Sequence, residues 1–357
     1  MPCRVIQCGT GMAGGEALRA ILDRPDLELA GLMVARAENA GKDAGEAAGR
    51  LPTGISATTS IEEIAAIDAD IVCYMLVVPN LDDICRLLAS GKNVVTTAGL
   101  IFPTWRAPDA RDRLAAACAA GNSSFYVTGI NPGWVDEVLP LVMSSLCRDI
   151  ERIDIREYAD CAKYPSPALT FDVMGFGKTP EEIAAGAAPD MTVMTDFFAQ
   201  AVAALGHGLG LELDDIAVTR EFALASADFT IPVGPVKAGT IAGQRWRWTG
   251  SVAGVARIVQ ETFWVIAFDL GEGWPKSGDV QNDTQWQVTI EGSPSLRVVF
   301  EPRVSFRDAN AEGPNPSGLA TAMAAVNILT AVCDAPSGLL TSVDLKLPRW
   351  RGVHHVG

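Results

Sequence analysis

The chain has 357 residues, 48% of them hydrophobic and 20% charged, which suits a folded protein of two domains rather than one. A formal net charge of -15 argues against nucleic acid or an anionic membrane surface as partner, because both are held by basic patches and no such patch stands out. The 8 cysteines show no C-x-x-C spacing and no nearby histidines, so neither a disulfide framework nor a metal site is expected. The N-terminus lacks the blocks of a signal peptide, and no apolar run approaches the ~20 residues that cross a bilayer; a cytoplasmic location is expected.

The short apolar run Arg4 to Cys8 reads as a buried strand, and Leu18, Ile21 and Leu22 fall on one face of a following helix. Between them Gly9, Gly11 and Gly14 fit G-x-G-x-x-G, with Thr10, Met12 and Ala13 filling the turn. That spacing lets a backbone turn sharply, approach a pyrophosphate and pack helix on strand, with the phosphates on the N–H groups of the helix start. A plain glycine turn is the other reading; the setting between strand and helix favours a dinucleotide. Leu27 to Met33 is a second strand. Beyond it, where many NAD-binding units carry a carboxylate for the ribose, stand Val34, Ala35 and then Arg36. A guanidinium there suits the 2'-phosphate of NADP(H), which is preferred with NAD(H) as the alternative; the plainer reading of Arg36 is a solvated surface arginine.

Ser60 and Glu63 read as a capping box. Asp70 to Val77 is a buried strand ended by Pro79, Asn80 to Ala89 a helix with Leu81, Ile84, Cys85 and Leu88 on one face, and Val94 to Thr97 another strand. Leu114 to Ala120 is helical and Ser124 to Thr128 extended. This alternation predicts a parallel sheet with right-handed crossovers. Pro79, Thr97 and Asn131 follow strands of that sheet and are expected against the cofactor.

After Gly129-Ile130-Asn131-Pro132-Gly133-Trp134 the pattern changes. Asp136 to Leu146 is helical, and alternating runs follow at Ile150 to Tyr158, Ile216 to Phe222, Val236 to Trp248, Ala256 to Phe268, Thr284 to Glu291 and Leu296 to Phe300, with one helical insertion from Thr179 to Gly206. Arg245-Trp246-Arg247-Trp248 reads as a strand with one wet and one packed face. Asn310 to Pro316 is a linker, and Ser317 is expected to cap a helix with Leu319, Met323, Val326, Leu329 and Cys333 on its apolar side, returning to the first domain. The fold class is α/β: a dinucleotide-binding domain with a parallel sheet over 1–135, completed by 317–357, and an α+β domain with a mostly antiparallel open sheet over 136–316.

Gly9-Thr10-Gly11, the run Ala40 to Glu46 and the run Leu88 to Thr97 together resemble the dihydrodipicolinate-reductase-like oxidoreductases, and more narrowly the branch of 2,4-diaminopentanoate dehydrogenase and the native amine dehydrogenases. Gly129 to Gly133, Met174-Gly175-Phe176-Gly177, Gly239 to Gly243 and Asn327 extend the resemblance along nearly the whole chain. It implies a Rossmann domain, a substrate and dimerisation domain joined to it at a cleft, hydride transfer between NAD(P)H and a carbonyl or imine carbon of a small molecule, and a homodimer. One departure stands out: amine dehydrogenases of this branch carry a glutamate just after the strand corresponding to Val94–Thr97, and this chain has Ala98-Gly99-Leu100-Ile101.

A carbonyl or imine substrate still needs a proton donor or positive charge near the developing anion. Candidates cluster in the run Glu157 to Tyr164, with Tyr158, Asp160 and Tyr164 as the residues named for the role and packing and turn roles as the alternative. Trp134, Met174, Phe176 and Asn327 are expected to line a largely apolar substrate pocket, and Trp246, Trp248, Phe263 and Trp264 either join it or form core. His207 reads as structural at a helix end and His354 and His355 as tail residues. The reading is an NAD(P)-dependent carbonyl or imine reductase. The alternatives are an amine dehydrogenase with relocated proton chemistry and a non-catalytic dinucleotide sensor.

Overall fold

The N-terminal alternation becomes β1 (Cys3–Cys8), α1 (Met12–Asp23), β2 (Leu27–Met33), α2 (Ala44–Ala48), α3 (Ile61–Ala66), β3 (Ile71–Tyr74), α4 (Leu81–Ala89), β4 (Asn93–Thr96), α5 (Pro108–Gly121) and β5 (Ser124–Val127). The computed structural model describes residues 1–76, 78–99, 102, 108–164, 166–188, 192–280, 284–308, 310–347 and 349, without the side chains of 192–195. Two units divide the chain: Met1–Trp134 with Val304–Gly357, and Val135–Arg303.

In the first unit the strands pair in parallel in the order β14-β5-β4-β3-β1-β2, where β14 is Gly338–Leu339. Short strands with apolar side chains on both faces, such as Ile71-Val72-Cys73-Tyr74, are buried throughout because helices cover the sheet on either side. Leu18, Ile21 and Leu32 pack with Ala322, Val326, Leu329 and Val332 of α9 (Pro316–Val326) and α10 (Leu329–Cys333). The stretch Pro316–Cys333 has a mean hydropathy of 1.5 over 18 residues, enough by length and apolarity alone for a short membrane span and more than the sequence reading allowed. It breaks at Asn327, however, and packs those side chains into the core of the unit. Its cap is Asn315, whose Oδ1 accepts from Gly318 N at 2.8 Å, not Ser317. Pro316, lacking an N–H, occupies the first helical position, which moves the cap two residues earlier than expected.

Ser60 caps α3 through Glu63 N at 3.2 Å, while complete capping boxes lie at Thr179 with Glu182 and at Thr341 with Asp344. The expected helix over Asp136 to Leu146 is present to Ser144: helical turns over Ile130–Val138, broken by non-helical Asn131, Pro132 and Gly133, run directly into α6 (Leu139–Ser144).

The second unit holds β6 (Asp149–Asp160), α7 (Pro180–Ala184), α8 (Thr192–Gly208), β7 (Asp215–Leu224), β8 (Phe229–Ile231), β9 (Gly234–Val236), β10 (Ile241–Val252), β11 (Val255–Val265), β12 (Thr284–Ser293) and β13 (Leu296–Phe300). The expected strand Val236 to Trp248 is thus two strands, with β8 and β9 forming a separate hairpin. The large sheet runs β13-β12-β6-β11-β10-β7 and is antiparallel except for the β6–β11 pair. These two strands are far apart in sequence, and the helices and strands between them supply the crossover a parallel pair requires.

Alternation along each strand assigns two faces. One carries the row Arg220, Trp246, Thr262, Glu157, Trp286 and Phe300, each directly beside the next across the ladder. Next to it lie Gln244 and Trp264 on one side, and Trp248, Gln260 and Ile155 on the other. Helix α8 covers this face, with Phe198 stacked on Trp248 at 4.6 Å and tilted against Trp264 at 6.3 Å. The opposite face carries Arg156, Tyr158, Asp160, Arg245, Arg247, Glu261 and Phe263.

Candidate active site

The turn after β1 is shaped by its three glycines in three different ways. Gly9 has φ +94, and a Cβ there would stand 2.6 Å from Met75 O. A Cβ on Gly14 would stand 2.4 Å from Gly9 O, so this glycine lets α1 lie directly against the strand end. Gly11 is open, with nothing within 4 Å of its Cβ position. It is the N-cap of α1 and makes no side-chain cap, and the first intrahelical bond runs from Gly15 N to Gly11 O at 2.7 Å. The N–H groups of Met12, Ala13 and Gly14 therefore lead out of the helix end, beside a bare backbone that a bulkier residue would cover. These residues fit a pyrophosphate. Gln7, fully buried, braces the turn through Nε2 to Gly9 O at 2.9 Å.

Gly9 N donates to Met33 O at 2.8 Å, which brings the turn beside the end of β2. Past buried Val34 the Arg36 guanidinium is exposed, 3.6 Å from Glu38. On the other side of β1, Met75 N donates to Cys8 O at 2.8 Å, and Asn80 N, next to Pro79, donates to the Tyr74 hydroxyl at 3.2 Å. After β4, Thr97 precedes Ala98, whose N–H donates to Thr96 Oγ1 at 3.1 Å, and Gly99 turns the chain at φ +60. Asn131 follows β5 within the kink at Pro132 and Gly133. Gly9 to Gly14, Pro79, Thr97 and Asn131 thus share the carboxyl edge of one parallel sheet, at the point where β2 and β3 diverge from β1; open α/β sheets bind their ligands there.

In the second unit Glu157 is buried, and its Oε1 accepts from Trp264 Nε1 at 3.0 Å. Its row neighbours are Thr262 and Trp286. Among the described residues, Thr262 Oγ1, both amide atoms of Gln260 and the indole nitrogens of Trp246, Trp248 and Trp286 have no protein hydrogen-bond partner although buried. Arg220 lies 4.3 Å over Phe222 and 4.5 Å over Trp246, and its Nη2 donates to Gln244 Oε1 at 2.7 Å. Gln244 Nε2 in turn donates to Met174 O at 2.5 Å, attaching the Met174–Gly177 turn to the same end of the sheet.

Residues 134–352 match the family model described as the 2,4-diaminopentanoate dehydrogenase C-terminal domain. Over 354 residues the chain is 32% identical to an amine dehydrogenase of Streptomyces virginiae, covering 95% of each. The chain belongs to this family. A 2,4-diaminopentanoate dehydrogenase of Acetoanaerobium sticklandii is 24% identical over 355 residues, 97% of this chain and 94% of the relative. Among solved structures, the amine dehydrogenase of Mycobacterium smegmatis shares the fold with a TM-score of 0.74 at 18% identity, covering 98% of both chains. GenD2 from gentamicin A biosynthesis, solved in complex with NAD, gives 0.54 at 15% identity, with 94% and 86% covered. The protein is an NAD(P)-dependent oxidoreductase with a nicotinamide cofactor and a small-molecule substrate.

The expected proton donors have other partners. Tyr158 stacks on Phe263 at 5.2 Å, on the face opposite Trp246 and Trp264. Burial pushes its phenol up, against the pull of Arg156. Asp160 Oδ1 accepts from Ala162 N at 3.2 Å and caps a single turn that Tyr164 closes, with Lys163 Nζ at 3.4 Å. Asn327 ends α9, where its Oδ1 accepts from Arg24 Nη1 at 3.0 Å. Gly318 at the start of α9 packs against Met12, so α1 and α9 run side by side and Asn327 stands a helix length from the glycine turn. Phe176 is fully buried, Met174 meets Gln244, and Trp134 N donates to Gly129 O at 2.8 Å. The run Ala40 to Glu46 is explained by Asp43, which accepts from Gly45 N at 2.7 Å, Gly54 N at 2.8 Å and Thr53 N at 3.0 Å. Those bonds, from Thr53 first, hold its carboxyl below the usual range. Among the described residues, no group of three His, Cys, Asp or Glu is arranged to hold a metal ion. Leu100, Ile101, His354 and His355 lie outside the described residues.

Gln7, Thr262 and Gln260 are absent from the sequence-based candidates, and Glu157 opens the candidate run without an assigned role. The available signal was a polar residue at an inward position of an otherwise apolar strand, a position that demands a partner.

Proposed function

We propose that the protein reduces a C=O or C=N bond of a small molecule, or runs the reverse oxidation, with NADP(H) preferred over NAD(H). The observation that carries this reading is the uncapped helix start at Gly11, bare of side chains and set at the carboxyl edge of the parallel sheet. The bound nicotinamide supplies the hydride. The chain's part is to hold the diphosphate on the N–H groups of the first turn of α1, to meet the adenosine end with Arg36, and to present a substrate face from the second unit.

Interconversion of an amine and a ketone is favoured over simple ketone reduction by the 32% identity to an amine dehydrogenase and by a buried carboxylate, Glu157, among the indoles of the second unit. Oxidation of NADPH with a panel of ketones, with and without ammonia, tests both readings. Turnover that needs ammonia establishes the amine reaction, turnover without it the ketone reaction, and no turnover with any ketone or imine refutes both. For the nucleotide, Arg36→Ala is expected to weaken NADPH by about tenfold or more and NADH by far less, as the loss of a charge-assisted contact requires. Equal weakening in titrations of the two removes Arg36 as the phosphate ligand.

A further inference from the structure

We propose that Glu157 and Thr262 form the ammonium site of the second unit, receiving the protonated amino group of the substrate. The inference rests on the amine reading above and assigns the carboxylate that Ala98 and Gly99 do not provide.

Glu157 faces inward on β6 in the middle of the large sheet, among side chains that α8 covers. An ionised carboxylate in such a place is stable only with donors or a cation near it. Trp264 Nε1 supplies one bond, to Oε1. Thr262, directly beside it on β11, is fully buried with a hydroxyl that has no protein partner among the described residues. Two residues along the same strand Gln260 is equally buried, and both its amide oxygen and its amide nitrogen are equally unpartnered. Thus a carboxylate, a hydroxyl oxygen and an amide oxygen occupy neighbouring positions of two adjacent strands. An ammonium group has three N–H donors and no acceptor, and it matches these three oxygens, while the unpartnered Gln260 Nε2 calls for an oxygen of the same ligand.

The walls agree with a cation. Trp246 lies beside Thr262, Trp286 beside Glu157, and Trp264 donates to the carboxylate, so indole rings surround the position on three sides. An ammonium is drawn to a ring face; Arg220 lies over Trp246 at 4.5 Å and Trp264 turns its N–H edge to the carboxylate, which leaves Trp286 as the ring for this contact. The indole N–H groups of Trp246 and Trp286, buried without protein acceptors, are placed to bind an oxygen elsewhere on the same molecule. Recognition of this kind selects an amine with a polar oxygen, a more polar molecule than the largely apolar carbonyl or imine expected from the sequence. On the opposite face, Asp160 and Tyr158 are engaged in a cap and a stack.

The experiment uses the full chain without nucleotide, titrated with 2-aminocyclohexanol and with cyclohexanol while tryptophan fluorescence is read. The amine is expected to change the signal saturably and the alcohol to bind at least about tenfold more weakly, the difference a charged hydrogen-bond partner makes. Glu157→Gln is expected to abolish that preference while leaving NADPH binding intact. Thr262→Val keeps the side-chain shape and removes a hydroxyl with no protein partner, so its melting temperature should hold or rise while amine affinity drops. Amine binding unchanged in Thr262→Val, or an undiminished preference in Glu157→Gln, overturns the assignment. These outcomes are separate from the ketone turnover assay, whose failure refutes the proposed reaction without touching amine binding.

Discussion

Gly11 and Gly14 belong to one motif but answer to different constraints, and substitution separates them. At Gly14 the space is closed by protein: an added Cβ meets Gly9 O at 2.4 Å, and either α1 or the strand end must shift. Gly14→Ala should therefore cost about 1–3 kcal/mol of stability, as overpacking does, and weaken nucleotide binding as a consequence. At Gly11 the space is open and the backbone, at φ -69 and ψ -164, is one alanine adopts. Gly11→Ala should change stability by no more than about 1 kcal/mol, the scale of an N-cap change, while NADPH affinity falls about tenfold or more because the new methyl stands where the diphosphate must approach. Thermal melts and nucleotide titrations on the pair decide it. Equal loss of stability in both variants would make Gly11 a packing glycine.

Elements were legible where local chemistry and tertiary packing agree. β1, β2 and α4 follow their expected spans because six to nine residues of consistent pattern sit between clear breakers such as Pro79 and Gly91, whereas β3 is only Ile71–Tyr74 where Asp70 to Val77 was expected. The second sheet was legible as alternating runs, but its faces were not. Tyr158 and Trp264 both look inward-facing in isolation, and only the parallel β6–β11 register sets Tyr158 beside Phe263 and Trp264 beside Ala159. A strand shifted by one residue changes faces, so only this register decides that Glu157 faces α8 and that Tyr158 and Asp160 do not. The start of α9 shows the same limit on a smaller scale. Both Asn315 and Ser317 are good caps by residue type, and Pro316 between them decides the matter by taking the first helical position. Asn315→Ala should cost about 1 kcal/mol in denaturant unfolding and Ser317→Ala no more than about 0.5 kcal/mol. The reverse order would return the cap to Ser317.

Across the whole molecule the net charge of -15 sets one pH trend and the second unit's arginine cluster sets another. Lowering the pH from neutrality discharges carboxylates and relieves self-repulsion, which favours the compact state. Glu261 works against this. Nearly fully buried, it accepts from Arg245 Nη2 at 2.6 Å, Arg247 Nε at 2.8 Å and Arg156 Nε at 3.0 Å. Burial pushes its carboxyl up, but the bonds from Arg245 and Arg247 outweigh burial and hold it below the ordinary glutamate range. A carboxylate whose pKa is lower folded than unfolded contributes stability above its unfolded value, near 4.3, and that contribution is lost as pH falls through the folded value. Protonation would leave three guanidinium groups near one another with only Glu221, 3.4 Å from Arg245, as a remaining counter-charge. Glu261→Gln makes that state permanent, so at pH 7 the variant should be less stable by about 1–2 kcal/mol, a cost that solvent screening of the partly exposed guanidinium groups keeps below that of fully buried charge. The gap between the two proteins should stay constant from pH 7 to about 5 and close below about pH 4, where the natural side chain also becomes neutral. Melting temperatures of both proteins across this range test it: a gap that persists undiminished to pH 3 would mean that Glu261 acts through packing rather than through its charge.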